Sequence, residues 1–284
     1  MSAQALLAVE DLRVSFATAT GVVEAVRGVS FTMGRERLGI VGESGSGKSM
    51  TGRAILGLVP PPGRVDARRL EFDGIDLTAA GSKRRRALRG RRIAMILQDP
   101  NYSLNPVITA GRQIAEAYRG LSRAAARERA LGMLEAVRVP DPERVLRAYP
   151  HELSGGMAQR VMIAMMLAPG PDLLIADEPT SALDVSVRVQ VLAILDDLVG
   201  RGRMGLILIS HDLGLVASFC DRVLVMYDGR IVESCRASEL ESARHPYTRG
   251  LLAARPRIDG PGGELPVLDR DPAWRDAPGV CGAP

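Results

Sequence analysis

Lysine is almost absent from this chain. Of its 37 basic residues only Lys48 and Lys83 are lysine, and arginine fills the other positions. Aromatic residues make up 4% of the sequence, with a single tryptophan, so packing falls to Leu, Val, Ile, Ala and Met. Three cysteines at wide spacing (Cys220, Cys235, Cys281) give neither a disulfide framework nor a metal-binding pattern. The longest apolar run, "VMIAMMLAP" from Val161, is about half of the ~20 residues needed to span a bilayer. The opening "MSAQALLAVEDLRVSF" has no basic segment leading into an apolar one, so no secretory signal is expected and the chain reads as soluble.

What is present is a core. With 284 residues, 46% hydrophobic and 25% charged, the sequence suits one large globular domain, alone or with an appendage. A net charge of +4 fits an acidic partner without singling out nucleic acid. Much of the excess lies in "SKRRRALRGRR", Ser82 to Arg92. Charge runs are mostly solvated faces; the sharper readings are a phosphate-facing patch or a contact with lipid headgroups.

The first forty residues alternate in the manner of short strands, separated by "ATATG". "RLGIVG" reads as a buried strand ending in glycine, and "SMTGRAILGLV" as a helix stopped by "PPPG". From Asn101 to about Met166 the pattern is mostly helical. Two strand–loop–helix units follow, beginning at "DLLIADE" and "GLILISHD", and "RVLVMYDGRIVES" reads as a hairpin turned at Asp-Gly. From about Arg255 the chain is rich in Pro, Gly and Asp, and a loosely ordered tail is expected. Buried strands alternating with helices predict an α/β core with a largely parallel sheet and a helical insert.

One of the two lysines stands in "GESGSGKS". Gly42, Glu43, Ser44, Gly45, Ser46, Gly47, Lys48 and Ser49 fit G-x-x-x-x-G-K-[ST], with a strand before the loop and a helix after it, and Met50 joins them as a nucleotide-binding candidate. Backbone N–H groups in such a loop wrap a phosphate, and the helix N-terminus adds a favourable dipole. Lys48 is placed to reach the β- and γ-phosphates and Ser49 to hold Mg²⁺. A compact ammonium fits among phosphate oxygens where a planar guanidinium does not, which accounts for lysine in an arginine-rich chain.

"DLLIADEP" is an apolar strand ending in two carboxylates. Asp177 suits a Mg²⁺ ligand that acts through water or through the ion's inner donors, and Glu178 a base that orients and deprotonates the attacking water. "LSGGMAQR" is a second glycine turn opening a helix, and Ser154, Gly155 and Gly156 could present a hydroxyl and N–H groups to another phosphate. Standing alone, it would read as a serine cap with flexible glycines.

These three segments together resemble the nucleotide-binding subunit of ABC transporters, over about residues 6 to 255. The resemblance implies a P-loop ATPase fold of the ABC type, with a mainly parallel sheet, an N-terminal antiparallel β-subdomain and a helical subdomain inserted at about 101–166. The nucleotide-binding domain would span residues 1–254, and 255–284 would form a short tail. The resemblance also assigns Gln98 of "ILQDP" to sensing Mg²⁺ and the membrane partner, Ser181 to Asp184 to the loop linking two ATP sites, and His211 to the γ-phosphate. Phe16 falls where the family stacks an aromatic on adenine, although a core phenylalanine reads the same.

Within the family, "LSGGMAQRVMIAMML", "QDPNYSLNP" and "HPYTRGLLAARP" resemble the peptide and nickel importer group. The last stretch has no evident ATP chemistry. Longer members of the group continue into a cysteine-rich segment, whereas here one thiol, Cys281, cannot hold an iron–sulfur cluster. The resemblance implies ATP and Mg²⁺ as cofactors and a peripheral position on the cytoplasmic face of a bacterial inner membrane. Its partners would be a second ATPase chain, a different one bound head to tail, two transmembrane permease subunits and an extracytoplasmic solute-binding protein. A soluble ABC-type ATPase acting on nucleic acid is the alternative, favoured by the basic run alone. A small-molecule P-loop kinase leaves "LSGGMAQR" unexplained.

Overall fold

The computed structural model describes residues 5–180, 185–200, 204–254 and 271–275. The chain divides into two compact units, Met1–Ala80 with Ile207–Pro284, and Gly81–Leu206.

The first unit opens on two antiparallel strands, β1 (Leu7–Thr18) and β2 (Gly21–Met33), paired from Leu7 opposite Met33 to Thr18 opposite Gly21, with register shifts between Val9 and Ser15. Their inward positions, among them Val14, Val26, Phe31 and Met33, are buried. The strands are longer than the alternation suggested, because a turn of two residues joins them. β3 (Arg37–Val41) then leads through a loop to α1 (Lys48–Leu56). That helix stops at Gly57, ahead of the proline run. Gly57 takes φ 63°, and the N–H groups of Gly57 and Leu58 return to the carbonyls of Ala54 and Arg53. β4 (Arg64–Asp66), β5 (Arg69–Phe72) and β6 (Ile75–Asp76) complete a sheet of order β2-β1-β5-β6, with β4 also on β1. The β5–β6 hairpin turns at Asp73 (φ 46°) and Gly74 (φ 74°), the Asp-Gly pair of "FDGI".

The second unit begins with α2 (Ser82–Leu88), on which Lys83, Arg84 and Arg86 are exposed and Leu88 is buried. β7 (Ile93–Ile96) and β8 (Leu173–Asp177) pair in parallel and are buried along their lengths. Between them in sequence lie α3 (Ala110–Ala115), α4 (Arg123–Ala136), α5 (Pro142–Arg147) and α6 (Gly155–Leu167). Side chains of Ser122, Asp141 and Ser154 cap α4, α5 and α6. α3 approaches α5 at Gly111, where a Cβ would lie 2.1 Å from the Leu146 side chain. α6 ends before Pro169, and Gly170, at φ 67°, donates to the Leu167 carbonyl. α7 (Val185–Gly200) follows.

β9 (Gly205–Ser210) leads back to the first unit, where α8 (Leu213–Phe219), β10 (Arg222–Tyr227), β11 (Arg230–Arg236) and α9 (Pro246–Ala253) follow. The strand order there is β11-β10-β3-β9, with β10 parallel to β3 and antiparallel to β11. α8 lies close on β3 because position 39 has no side chain; a Cβ on Gly39 would sit 2.1 Å from Cγ1 of Val216. The β10–β11 hairpin turns at Asp228 (φ 44°) and Gly229 (φ 81°), as the Asp-Gly pair predicts. The expected fold class is present: parallel strands alternating with helices, an antiparallel β region and a helical region. Beyond α9 the described residues are Asp271–Arg275, where Trp274 packs on Tyr227 and Tyr247. Among the described residues no helix is long and apolar enough to cross a membrane.

Candidate active site

The loop from Gly42 to Gly47 is shaped by close backbone approaches. A Cβ on Gly42 would meet the Met226 carbonyl at 2.2 Å, and one on Gly47 would meet the Ala25 carbonyl at 2.5 Å. Gly47 has φ 98°, a left-handed conformation that few side chains tolerate, and it opens α1 by accepting from the N–H and hydroxyl of Thr51 at 2.9 and 3.0 Å. Lys48 is 7% exposed. Its ammonium donates to the carbonyls of Gly42 and Glu43, each at 2.7 Å, and reaches the Ser46 hydroxyl at 3.4 Å. The charge is therefore gripped inside the curve of its own loop, at the N-terminal end of a helix. Ser49 and Met50 occupy the first turn of α1 and are half-buried, whereas Ser44 and Gly45 are exposed.

Two further segments of the same unit hold the loop. The N–H of Gly229, in the β10–β11 turn, donates to the Ser46 carbonyl at 3.0 Å. That turn is itself fixed by Arg27, whose N–H donates to the Gly229 carbonyl at 2.7 Å and whose guanidinium pairs with Asp228 at 2.7 Å. On the other side, the N–H of Glu43 donates to the Tyr247 hydroxyl at 3.0 Å. His211 follows β9 and is exposed, with Asp212 capping α8 next to it. Phe16 lies half-buried in β1, with Gly63 close against its ring edge.

The second unit carries the remaining candidates. Gln98 is exposed just past β7. Asp177 ends β8 and is 4% exposed. Glu178, half-buried, takes φ 50°. A non-glycine residue in that region costs about 1 kcal/mol or more, so surrounding structure must hold this turn. Part of the hold is Gln159, buried on α6, whose side-chain amide donates to the Pro179 carbonyl at 2.7 Å. Ser154 caps α6 by accepting from the Met157 N–H at 3.3 Å, as the cap reading has it. Ser154 and Gly155 are exposed, and a Cβ on Gly155 would meet nothing within 4 Å, so this helix N-terminus is open to an incoming group. Asp184 and the rest of 181–184 lie outside the described residues.

A family model described as ABC transporter matches residues 26–181. The chain belongs to the ABC transporter family. It is 49% identical to the oligopeptide transport ATP-binding protein OppD of Bacillus subtilis, over 91% of this chain and 74% of that one. It is also 49% identical to the dipeptide transport ATP-binding protein DppD of Escherichia coli, over 89% of this chain and 79% of the other. Among solved structures, a dimeric ATP-binding cassette in a post-hydrolysis state, bound to ADP and Pi, superposes with a TM-score of 0.74. It shares 26% identity and covers 81% of this chain and 98% of the other. The CbiO1 cassette of Clostridium perfringens gives 0.70 at 26% identity, covering 84% and 91%. As an ABC ATPase the chain binds and hydrolyses ATP.

Two contacts of this cassette were not foreseen from sequence. Gln159 was visible as the glutamine after "LSGG", but its carbonyl partner lies 20 residues away, across a strand. Tyr247 stood in a stretch without evident ATP chemistry, and its hydroxyl meets the loop 204 residues earlier.

Proposed function

We propose that this chain is the ATP-hydrolysing subunit of a bacterial importer that powers uptake of di- or oligopeptides, or of a related small solute such as nickel. The reading rests on one combination: a single chain carries both a closed phosphate loop around Lys48 and an exposed "LSGG" turn at the start of α6. A cassette that hydrolysed ATP without a second chain would have no use for an open turn of that kind. The relatives named for oligopeptide and dipeptide transport support the solute class.

In this reading the N–H groups of Gly42 to Ser49 and the Lys48 ammonium hold the phosphates, and Phe16 stacks on adenine. Glu178 accepts a proton from the attacking water, and His211 contacts the γ-phosphate. The hydroxyl of Ser49, the carboxylate of Asp177 and the amide oxygen of Gln98 are all hard oxygen donors, the set that suits Mg²⁺. Mg²⁺, when bound, neutralises phosphate charge. Ser154, Gly155 and Gly156 face the ATP of a second cassette bound head to tail, and Asp184 belongs to the loop linking the two sites. The assembly has a second ATPase chain, two permeases and an external solute-binding protein, and it places this chain on the cytoplasmic face of the inner membrane.

Reconstitution into proteoliposomes with the permeases and partner ATPase tests the reading. ATP hydrolysis that rises when a peptide-loaded binding protein is added supports it. Hydrolysis indifferent to binding protein and permeases, but stimulated by DNA or RNA, would refute it.

A further inference from the structure

The "HPYTRGLL" helix touches the Gly42–Ser49 loop at Tyr247. α9 starts at Pro246, whose ring suits the first helical position, and His245 caps it by accepting the Tyr247 N–H on Nδ1 at 3.2 Å. This start aims the Tyr247 side chain inward, where it is fully buried. Its ring packs against Tyr227, with centroids 4.5 Å apart, and against Trp274 at 5.9 Å. The hydroxyl is thereby fixed in position, and it accepts the N–H of Glu43 at 3.0 Å.

The peptide unit involved decides what that bond does. The N–H of Glu43 and the carbonyl of Gly42 belong to one planar peptide group. The Gly42 carbonyl is one of the two that receive the Lys48 ammonium at 2.7 Å, and the Glu43 carbonyl is the other. Tyr247 therefore holds one edge of the plane whose opposite edge holds the ammonium. If the plane rotates, Lys48 loses an acceptor and its registry.

We propose that Tyr247 is a positioning residue for ATP binding, which makes the C-terminal helix part of the nucleotide site. The proposal rests on the reading of the Gly42–Ser49 loop as the ATP site. Tyr247→Phe keeps the ring and removes the acceptor. In the full-length chain, titrated calorimetrically with Mg-ADP and Mg-ATP, it should raise Kd about three- to tenfold, the value of one hydrogen bond. In the assembled transporter, KM for ATP should rise by a similar factor, with kcat at saturating ATP within about twofold of wild type. Tyr227→Phe removes a neighbouring hydroxyl that contacts the Asp271 carbonyl, not the loop, and should leave Kd unchanged.

Wild-type Kd in Tyr247→Phe overturns the proposal. So does equal weakening in both variants, or a fall in Tm without a change in Kd, because each points to packing alone. Lys48→Arg separates this failure from that of the underlying reading. If it too both binds and hydrolyses ATP normally, the loop is not the ATP site; if its binding or turnover falls while Tyr247→Phe binds normally, only the role of Tyr247 falls.

Discussion

The side-chain amide of Gln159 donates to the carbonyl of Pro179 at 2.7 Å, in the buried interior of the second unit. The bond ties the helix opened by the "LSGG" turn to the residue that follows Glu178, whose backbone sits at φ 50°. Gln159→Leu leaves that carbonyl without its amide donor and should destabilise the chain by about 1–3 kcal/mol. It should also lower kcat about tenfold while leaving the Kd for ATP within about twofold, since the loop around Lys48 is untouched. Calorimetry and steady-state hydrolysis by the assembled transporter separate the two effects. A change confined to Kd would contradict this link.

Lys48→Arg conserves charge but not shape. Lys48 is 7% exposed and its ammonium has oxygen acceptors at 2.7, 2.7 and 3.4 Å, a position that a planar fork cannot take. ATP affinity or turnover should fall at least about tenfold, measured by calorimetry and phosphate release. Wild-type behaviour would refute the steric argument for lysine in a chain otherwise filled with arginine.

Stability should depend on acid through Asp221. Burial pushes its carboxyl up from the ordinary 3.8, but hydrogen bonds from the Arg37 side chain and backbone N–H, with its charge, outweigh this and hold it lower. The folded chain therefore binds this proton more weakly than the unfolded chain. The contribution is fully present above the unfolded value and is lost as pH falls from about 4 through the lower folded value. Asp221→Asn should flatten the fall in urea midpoint below about pH 4, while the wild type steepens there. An unchanged pH profile would remove the pair from the account.

How far the sequence is legible follows from how local each feature is. The Lys48 loop lies in one strand–loop–helix segment, and its glycines report close approaches that appear at Met226 and Ala25. The Asp228-Gly229 hairpin is equally local, because two positive-φ residues are written as Asp-Gly. Asp73-Gly74 carries the same signal, but its strands are too short to show alternation. Glu178 gives no sign of its positive φ, since glutamate is not a residue that requires it. The contact of Tyr247 with Glu43 joins positions 204 apart, and no periodicity encodes it. Composition from Arg255 onward masks one tryptophan that packs on two buried tyrosines.

The measurement that bears most directly on the account is single-turnover phosphate release by the assembled transporter carrying Glu178→Gln. Loss of a general base costs about 10²–10⁴ in rate, so ATP should bind with wild-type affinity while release falls at least about a hundredfold. Release at the wild-type rate with normal ATP binding would contradict the assignment of Glu178 as the base.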